Sequence, residues 1–305
     1  MNPSFRPLLH LVTVTACLAG APALARLNVV TTTQDPAALA RAIGGDRVSV
    51  KALAKGFQDP HFLDPKPTFM VDLNRADLFV VVGLDLEIGY APALISGAHN
   101  EKIAPGQPGY LDLSRSTTPM EVVPVADRSQ GDIHPNGNPH YWLDPENGRL
   151  MARAIAARLS ELDPDGKQTY AANLAAFETA LTAKEAEWAA KMSKLEGQPI
   201  ITYHRSWSYF VARYKLQVAA FVEPKPGIPP PPAHVLELIK LARSKGIKII
   251  LMENFYDRRL PELIASKTSA RLVTVPNSVG GTEQVKTYFD LFDLIVESTS
   301  AAAGS

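Results

Sequence analysis

Three histidines stand out for where they lie. His61 sits in "GFQDPHFLDPKPT", residues 56–68, His140 in "GNPHYWLDPENG", and His204 closes "IITYH". Each falls at or just after the carboxyl end of a predicted strand, or in the loop that follows one. Three neutral imidazoles brought together suit zinc, and also copper, nickel or iron. Prolines 60, 65 and 67 forbid a regular helix or a central strand around His61, so its loop is stiff. Spacing alone is a weak signal. The histidines are far apart, no H-E-x-x-H occurs, and a solvated loop side chain is the ordinary alternative for each one singly. Their common strand-end placement is what joins them.

Around them lie groups that could tune such a site. Asp59 and Asp64 flank His61 and could accept from its ring N–H and fix its tautomer, although loop capping would use them equally well. Glu223, in "EPKPGIPPPP", either lines the edge of a cleft or is a turn carboxylate, the simpler account. Trp142 and Tyr203 neighbour candidate ligands and are expected to keep the site dry, while Trp207 packs on a helix face. His134, in "GDIHPNGNPH", reads as an accessory metal-capturing residue or as plain surface loop. His99 and His234 read as helix-end or helix-start residues without a role.

The elements that must position these residues alternate. "LNVVTTT" predicts a strand, "DPAALARAIGG" a helix, "RVSVKAL" a strand, "PTFMVDLNRA" a helix, "DLFVVVGL" a buried strand and "LEIGYAPALISGA" a helix. "DPENGRLMARAIAARLSEL" is a clear helix with Asp144 as cap and Pro145 in its first turn. Residues 166–195 hold no proline and no internal glycine, are rich in Ala, Leu, Lys and Glu, and predict one long helix. Beyond it the alternation repeats: "QPIITYH", "LQVAAFVEP", "IKIILMEN" and "ARLVTVP" as strands, with helices between, and "EQVKTYFDLFDLIVEST" as the closing helix. The expected fold is α/β, two (βα)-type lobes with mostly parallel sheets bridged by a single long helix. The expected boundaries are a leader at 1–25, a first lobe at 26–163, a connector at 164–197, a second lobe at 198–299 and a tail at 300–305. Open α/β sheets bind ligands at the carboxyl ends of their strands, so the expected site is the cleft between the lobes.

The chain has 305 residues, 31 basic and 31 acidic, so its balance gives no reason to expect nucleic acid or an anionic surface as partner. "MNPSFRPLLHLVTVTACLAGAPALA" carries Arg6, an apolar run and the small-x-small end Ala23-Leu24-Ala25, which reads as an export signal cut after Ala25. Cys17, the one cysteine, lies inside it, and lipid attachment there is the less favoured alternative. A soluble mature chain would hold no cysteine, hence no disulfide, thiolate site or cysteine nucleophile.

Three stretches carry a resemblance. "DPHFLDPKPTFMVDLNRADLFVVVGLDLE", "NPHYWLDPENG" and "YHRSWSYFVARYKLQV" resemble, in order and spacing, the motifs of zinc- and manganese-binding solute-binding proteins of bacterial ABC importers. The likeness spans nearly all of the mature chain. It implies the two-lobed fold, a metal site at His61, His140 and His204, and a non-enzymatic receptor, monomeric and periplasmic, that delivers Zn²⁺ (alternatively Mn²⁺) to a membrane permease. Two departures follow. Where many members carry an aspartate ligand, this chain reads "VTVPNSVGG", with Asn277 and no carboxylate. Glu253, after "IKIILM", is the nearest strand-end carboxylate and is the candidate fourth ligand or orienting group, with water as the alternative. The long His/Asp-rich loop of many zinc-specific members is also missing. The rivals are a secreted zinc hydrolase with Glu253 as base, and a surface adhesin. No H-E-x-x-H or G-x-S-x-G supports the first, and neither repeats nor an extended apolar surface supports the second.

Overall fold

The runs "LFVV" and "IILME" are buried along their whole length, and each becomes an inner strand of a parallel sheet. In the computed structural model, which describes residues 26–123, 131 and 134–303, two such sheets form. The first holds β1 (Leu27–Thr31), β2 (Val48–Ala52), β3 (Leu78–Val81) and β4 (Tyr110–Asp112) in the order β2-β1-β3-β4. The second holds β5 (Pro199–Thr202), β6 (Gln217–Phe221), β7 (Ile249–Glu253) and β8 (Arg271–Val275) in the order β6-β5-β7-β8. All pairings are parallel, so all strands of a sheet end on the same side. The order reverses about β1 and β5, the arrangement that opens a crevice beyond the strand ends.

The helices follow their punctuation. In α4 (Pro145–Leu162) the Asp144 side chain accepts from the Glu146 N–H and proline occupies the first turn. The closing helix, α9 (Tyr288–Ala303), starts later than its apolar pattern. Asp290 accepts the N–H groups of Lys286 and Thr287 while Thr287 Oγ1 accepts from Asp290 N, a reciprocal cap that fixes the start. The helix expected over "LEIGYAPALISGA" shrinks to α3 (Ala91–Ala98). Before it, Gly83, Leu84 and Asp85 all have positive φ. A Cβ on Gly83 would come 2.2 Å from Asp112 Oδ1, so the turn needs glycine there. Strand β4 has no sequence signature, because three residues are too few to show a period.

The long helix α5 (Lys167–Met192) spans 26 residues, roughly 39 Å. Its buried residues Tyr170, Phe177, Leu181, Trp188 and Met192 form one stripe. Phe177 packs on Phe289 and Tyr288, and Trp188 packs on Phe292 and donates to Asp293. One apolar cluster runs from Val29 and Leu39 in the first lobe through α5 to Phe210, Val275 and Phe292 in the second. Polar ties add to it. Arg213 grips Asp144 with two hydrogen bonds, Tyr209 Oη donates to Asn138 O, and Trp142 Nε1 donates to Asn277 O. Gly56 lets the His61 loop meet the second lobe, since a Cβ there would come 2.0 Å from Val279 O.

Another tie is titratable. Asp35, at the start of α1 (Gln34–Gly44), is fully buried and accepts from Ser278 Oγ at 2.5 Å and Val279 N at 3.0 Å. Desolvation pushes its carboxyl up to about 7, against the two hydrogen bonds that hold it down. An unfolded aspartate titrates near ~3.9. The stability linked to Asp35 is therefore full below that value and falls as pH rises toward 7. Asp35→Asn is expected to remove up to about 1.4 kcal/mol per pH unit from the fall between about pH 4 and 7. Chemical denaturation across that range checks it, and parallel slopes for both proteins would contradict it. Glu87 and Glu253, each pushed up to about 7 by burial, keep their own contributions in the variant.

Candidate metal centre

His61 and His140 are built the same way. Each is the third residue of an Asx-Pro-His unit, Asp59-Pro60-His61 and Asn138-Pro139-His140. Asp59 Oδ1 accepts from His61 N at 3.0 Å and from its ring Nδ1 at 2.7 Å. Asn138 Oδ1 accepts from His140 N at 3.0 Å and from its ring Nδ1 at 2.9 Å. An Asx side chain closing on the backbone two residues ahead is a local turn, and the intervening proline fixes its φ. Here the same oxygen also orients the imidazole. The Asn138 amide is itself pinned, its Nδ2 donating to Arg205 O at 2.9 Å and Glu121 Oε2 at 3.2 Å.

His204 is held differently. It follows β5 directly, and Thr202 Oγ1 donates to its carbonyl. Its ring Nδ1 meets Glu223 Oε2 at 2.7 Å. Glu223 lies just beyond β6, with its backbone N–H on Tyr203 O, and is only 7% exposed. It is thus not the turn carboxylate that its proline-rich surroundings suggest.

All three Nδ1 atoms face oxygen acceptors, so all three rings carry Nδ1–H and turn Nε2 toward one space. One ligand atom from each of His61, His140 and His204 lies within 4.8 Å of the others. The ring centroids are 5.1, 5.3 and 5.5 Å apart, and His61 Nε2 is buried with no partner. Buried imidazole nitrogens converging on one space fit a cation. Burial holds His140 well below the ordinary histidine range, so it is neutral and ready to ligate. Burial also pulls His204 down, but the Glu223 hydrogen bond and the charges of Glu253, Glu223 and Asp59 outweigh it, and the net direction is upward. For Asp59, desolvation acts upward and is overcome by its bonds to His61, leaving the carboxyl below its usual value. An ionised Asp59 carboxylate hydrogen-bonded to the His61 ring places negative charge beside the three-histidine group.

Aromatic rings enclose the group. Trp142 lies 5.2 Å from His140, and Tyr203 stacks on Tyr256 at 4.4 Å. The opening is a pocket of about 290 Å³ bordered by Asp59, Phe62, Tyr203, Glu223 and Tyr256. That is small for an organic ligand.

The remaining candidates sit elsewhere. Glu253 ends β7, fully buried, takes a hydrogen bond from Ser206 Oγ on one oxygen, and is not in the three-histidine group. Asn277 is buried and engaged through its backbone by Trp142. Asp64 is exposed. His99 is exposed at the left-handed end of α3, and His234 faces Phe221 O at 3.0 Å. His134 comes unexpectedly close, its ring 5.2 Å from that of His61. Burial pulls its imidazole down to about 4.

Two closely packed α/β lobes with a three-imidazole group at the carboxyl ends of their strands have the architecture of a metal receptor. The comparisons agree. The family model described as "Zinc-uptake complex component A periplasmic" matches residues 29–302, and the chain belongs to that family. It is a family of metal-binding substrate receptors of ABC importers. The chain is similar to the manganese ABC transporter substrate-binding lipoprotein scaA of Streptococcus gordonii, 28% identical over 249 residues, 80% of this chain and 77% of the relative. It is also similar to the zinc-binding lipoprotein AdcA of Streptococcus pneumoniae, 24% identical over 84% of this chain and 51% of the relative. Among solved structures, the crystal structure of ZnuA superposes with a TM-score of 0.76 at 25% identity, covering 91% of this chain and 99% of that one.

Proposed function

We propose that this chain captures one divalent transition metal between His61, His140 and His204, zinc in preference to manganese, and hands it to the membrane permease of an ABC importer. The observation that carries the reading is the donor set: three imidazoles, each oriented through Nδ1, and no carboxylate in the group. Imidazole donors suit zinc, whereas manganese prefers oxygen ligands and stands lower in the order of intrinsic affinities. The relatives, named for zinc or for manganese, leave both metals open by kinship, so the preference rests on the donor set. The metal is cargo, and Asp59 and Glu223 act on it through the rings they orient.

The chain acts outside the cytoplasm as a monomer, exported by a leader that lies within residues 1–25, outside the described residues. The relatives carry "lipoprotein" in their names, which favours Cys17 as a lipid anchor over release after Ala25. No helix of the described residues is long and apolar enough to cross a membrane.

The test is competition. Metal-stripped protein is equilibrated with equal zinc and manganese, separated from free ions and measured by elemental mass spectrometry. Zinc at close to one per chain with manganese near background is expected. Manganese matching or exceeding zinc would overturn the preference.

A further inference from the structure

Three imidazoles leave one position of a tetrahedral centre open. Of the carboxylate and amide candidates, Glu253 gives one oxygen to Ser206 and keeps the other buried and unpartnered outside the three-histidine group, and Asn277 is held through its backbone by Trp142. His134 is the candidate whose ring lies against one of the three imidazoles. Both of its ring nitrogens are buried, and the Leu84 backbone is the one hydrogen-bonding group beside them, so at least one nitrogen has no partner. A buried ring nitrogen left without a partner is costly and needs a reason. The ring lies 5.2 Å from His61, close to the 5.1 Å between His61 and His140.

The position is not accidental. Asn136 Nδ2 donates to Asp85 Oδ2 at 2.8 Å, in the left-handed Gly83-Leu84-Asp85 turn. Val123 N donates to Pro135 O at 3.2 Å, Gly137 N to His134 O at 3.1 Å, and Asn138 N to Met120 O at 2.8 Å. The segment is thus tied on both sides, and the Asn138 that orients His140 also anchors the stretch carrying His134.

Resting on the metal-capture reading above, we propose that His134 is the fourth metal ligand of this chain, an imidazole standing where a carboxylate is absent. Its nitrogens lie outside the group formed by the other three, so ligation requires a rotation of the ring toward His61 Nε2. That rotation satisfies a buried nitrogen and closes the centre against water. It also makes the donor set all-nitrogen, which sharpens discrimination against manganese.

Zinc X-ray absorption on the loaded full chain counts the imidazoles, and competition with a chelator measures affinity. Four imidazoles are expected in the unaltered protein and three plus an oxygen in His134→Gln. The affinity loss should be at least about tenfold, the low end of what removing even an outer hydrogen-bond partner costs. His134→Asp is expected to raise manganese affinity relative to zinc. Three imidazoles in both proteins, or equal affinities, would overturn the role of His134 while leaving metal capture intact. Absence of zinc from the unaltered protein would overturn the capture reading itself, and the inference with it.

Discussion

His140→Ala is expected to weaken zinc binding by at least roughly a hundredfold. Structural zinc sites are worth ~10–16 kcal/mol, so one of four ligands carries on the order of 3 kcal/mol. His140 is the natural choice because its neutral form is the most firmly held: it is 2% exposed and burial keeps its ring unprotonated. The substitution also strips Asn138 Oδ1 of a donor and leaves a small void, at about 1–3 kcal/mol of stability. Affinity by chelator competition and a melt of the metal-free protein separate the two losses. His99→Asn, at an exposed position that favours left-handed backbone, should change neither. An unaltered zinc affinity in His140→Ala would remove His140 from the site.

Glu223→Gln should change both the affinity and its pH dependence. Metal must displace any proton on His204, so affinity falls as pH drops through the His204 pKa. Burial alone would set that pKa low, and the Glu223 hydrogen bond is the largest of the influences that raise it. Glutamine can still accept from Nδ1 and keep the tautomer, but it carries no charge. The variant should therefore bind about 10–100-fold less tightly at neutral pH, because its imidazole is less basic. Its acid-driven loss of zinc should begin at lower pH than in the unaltered protein. Binding curves between pH 5 and 8 for both proteins check this. A loss at the same pH in both would show that Glu223 does not set the basicity of His204.

The sequence made some of this legible and hid the rest for identifiable reasons. The parallel lobes could be read because their strands are apolar runs separated by helical periods and turn residues. The three histidines could be grouped because position at a strand's carboxyl end is itself a spatial statement. What holds their rings was harder to see. Asp59 is a visible candidate beside His61, and the analogous Asn138-Pro139-His140 unit carries the same Asx-Pro-His signal. Glu223 is separated from His204 by a helix and a strand, so only the pairing of β5 with β6 reveals it. Its Pro-rich surroundings pointed to an exposed turn, but its backbone bond to Tyr203 draws it inside. Glu253 sits at a strand end like the histidines. Whether it turns toward the cleft or toward Ser206 depends on side-chain packing that no local pattern encodes. His134 reads as an accessory metal-capturing residue or as surface loop, the second because glycine, asparagine and proline surround it. The same residues close the turns that tuck it under.

The central claim is that one zinc is held by these imidazoles. Titrating metal-stripped protein with zinc against a competing chelator, beside a variant with His61, His140 and His204 all replaced by alanine, tests it most directly. One zinc per chain in the unaltered protein and none in the variant is the predicted result. An empty unaltered protein, or a variant that keeps its zinc, would contradict it.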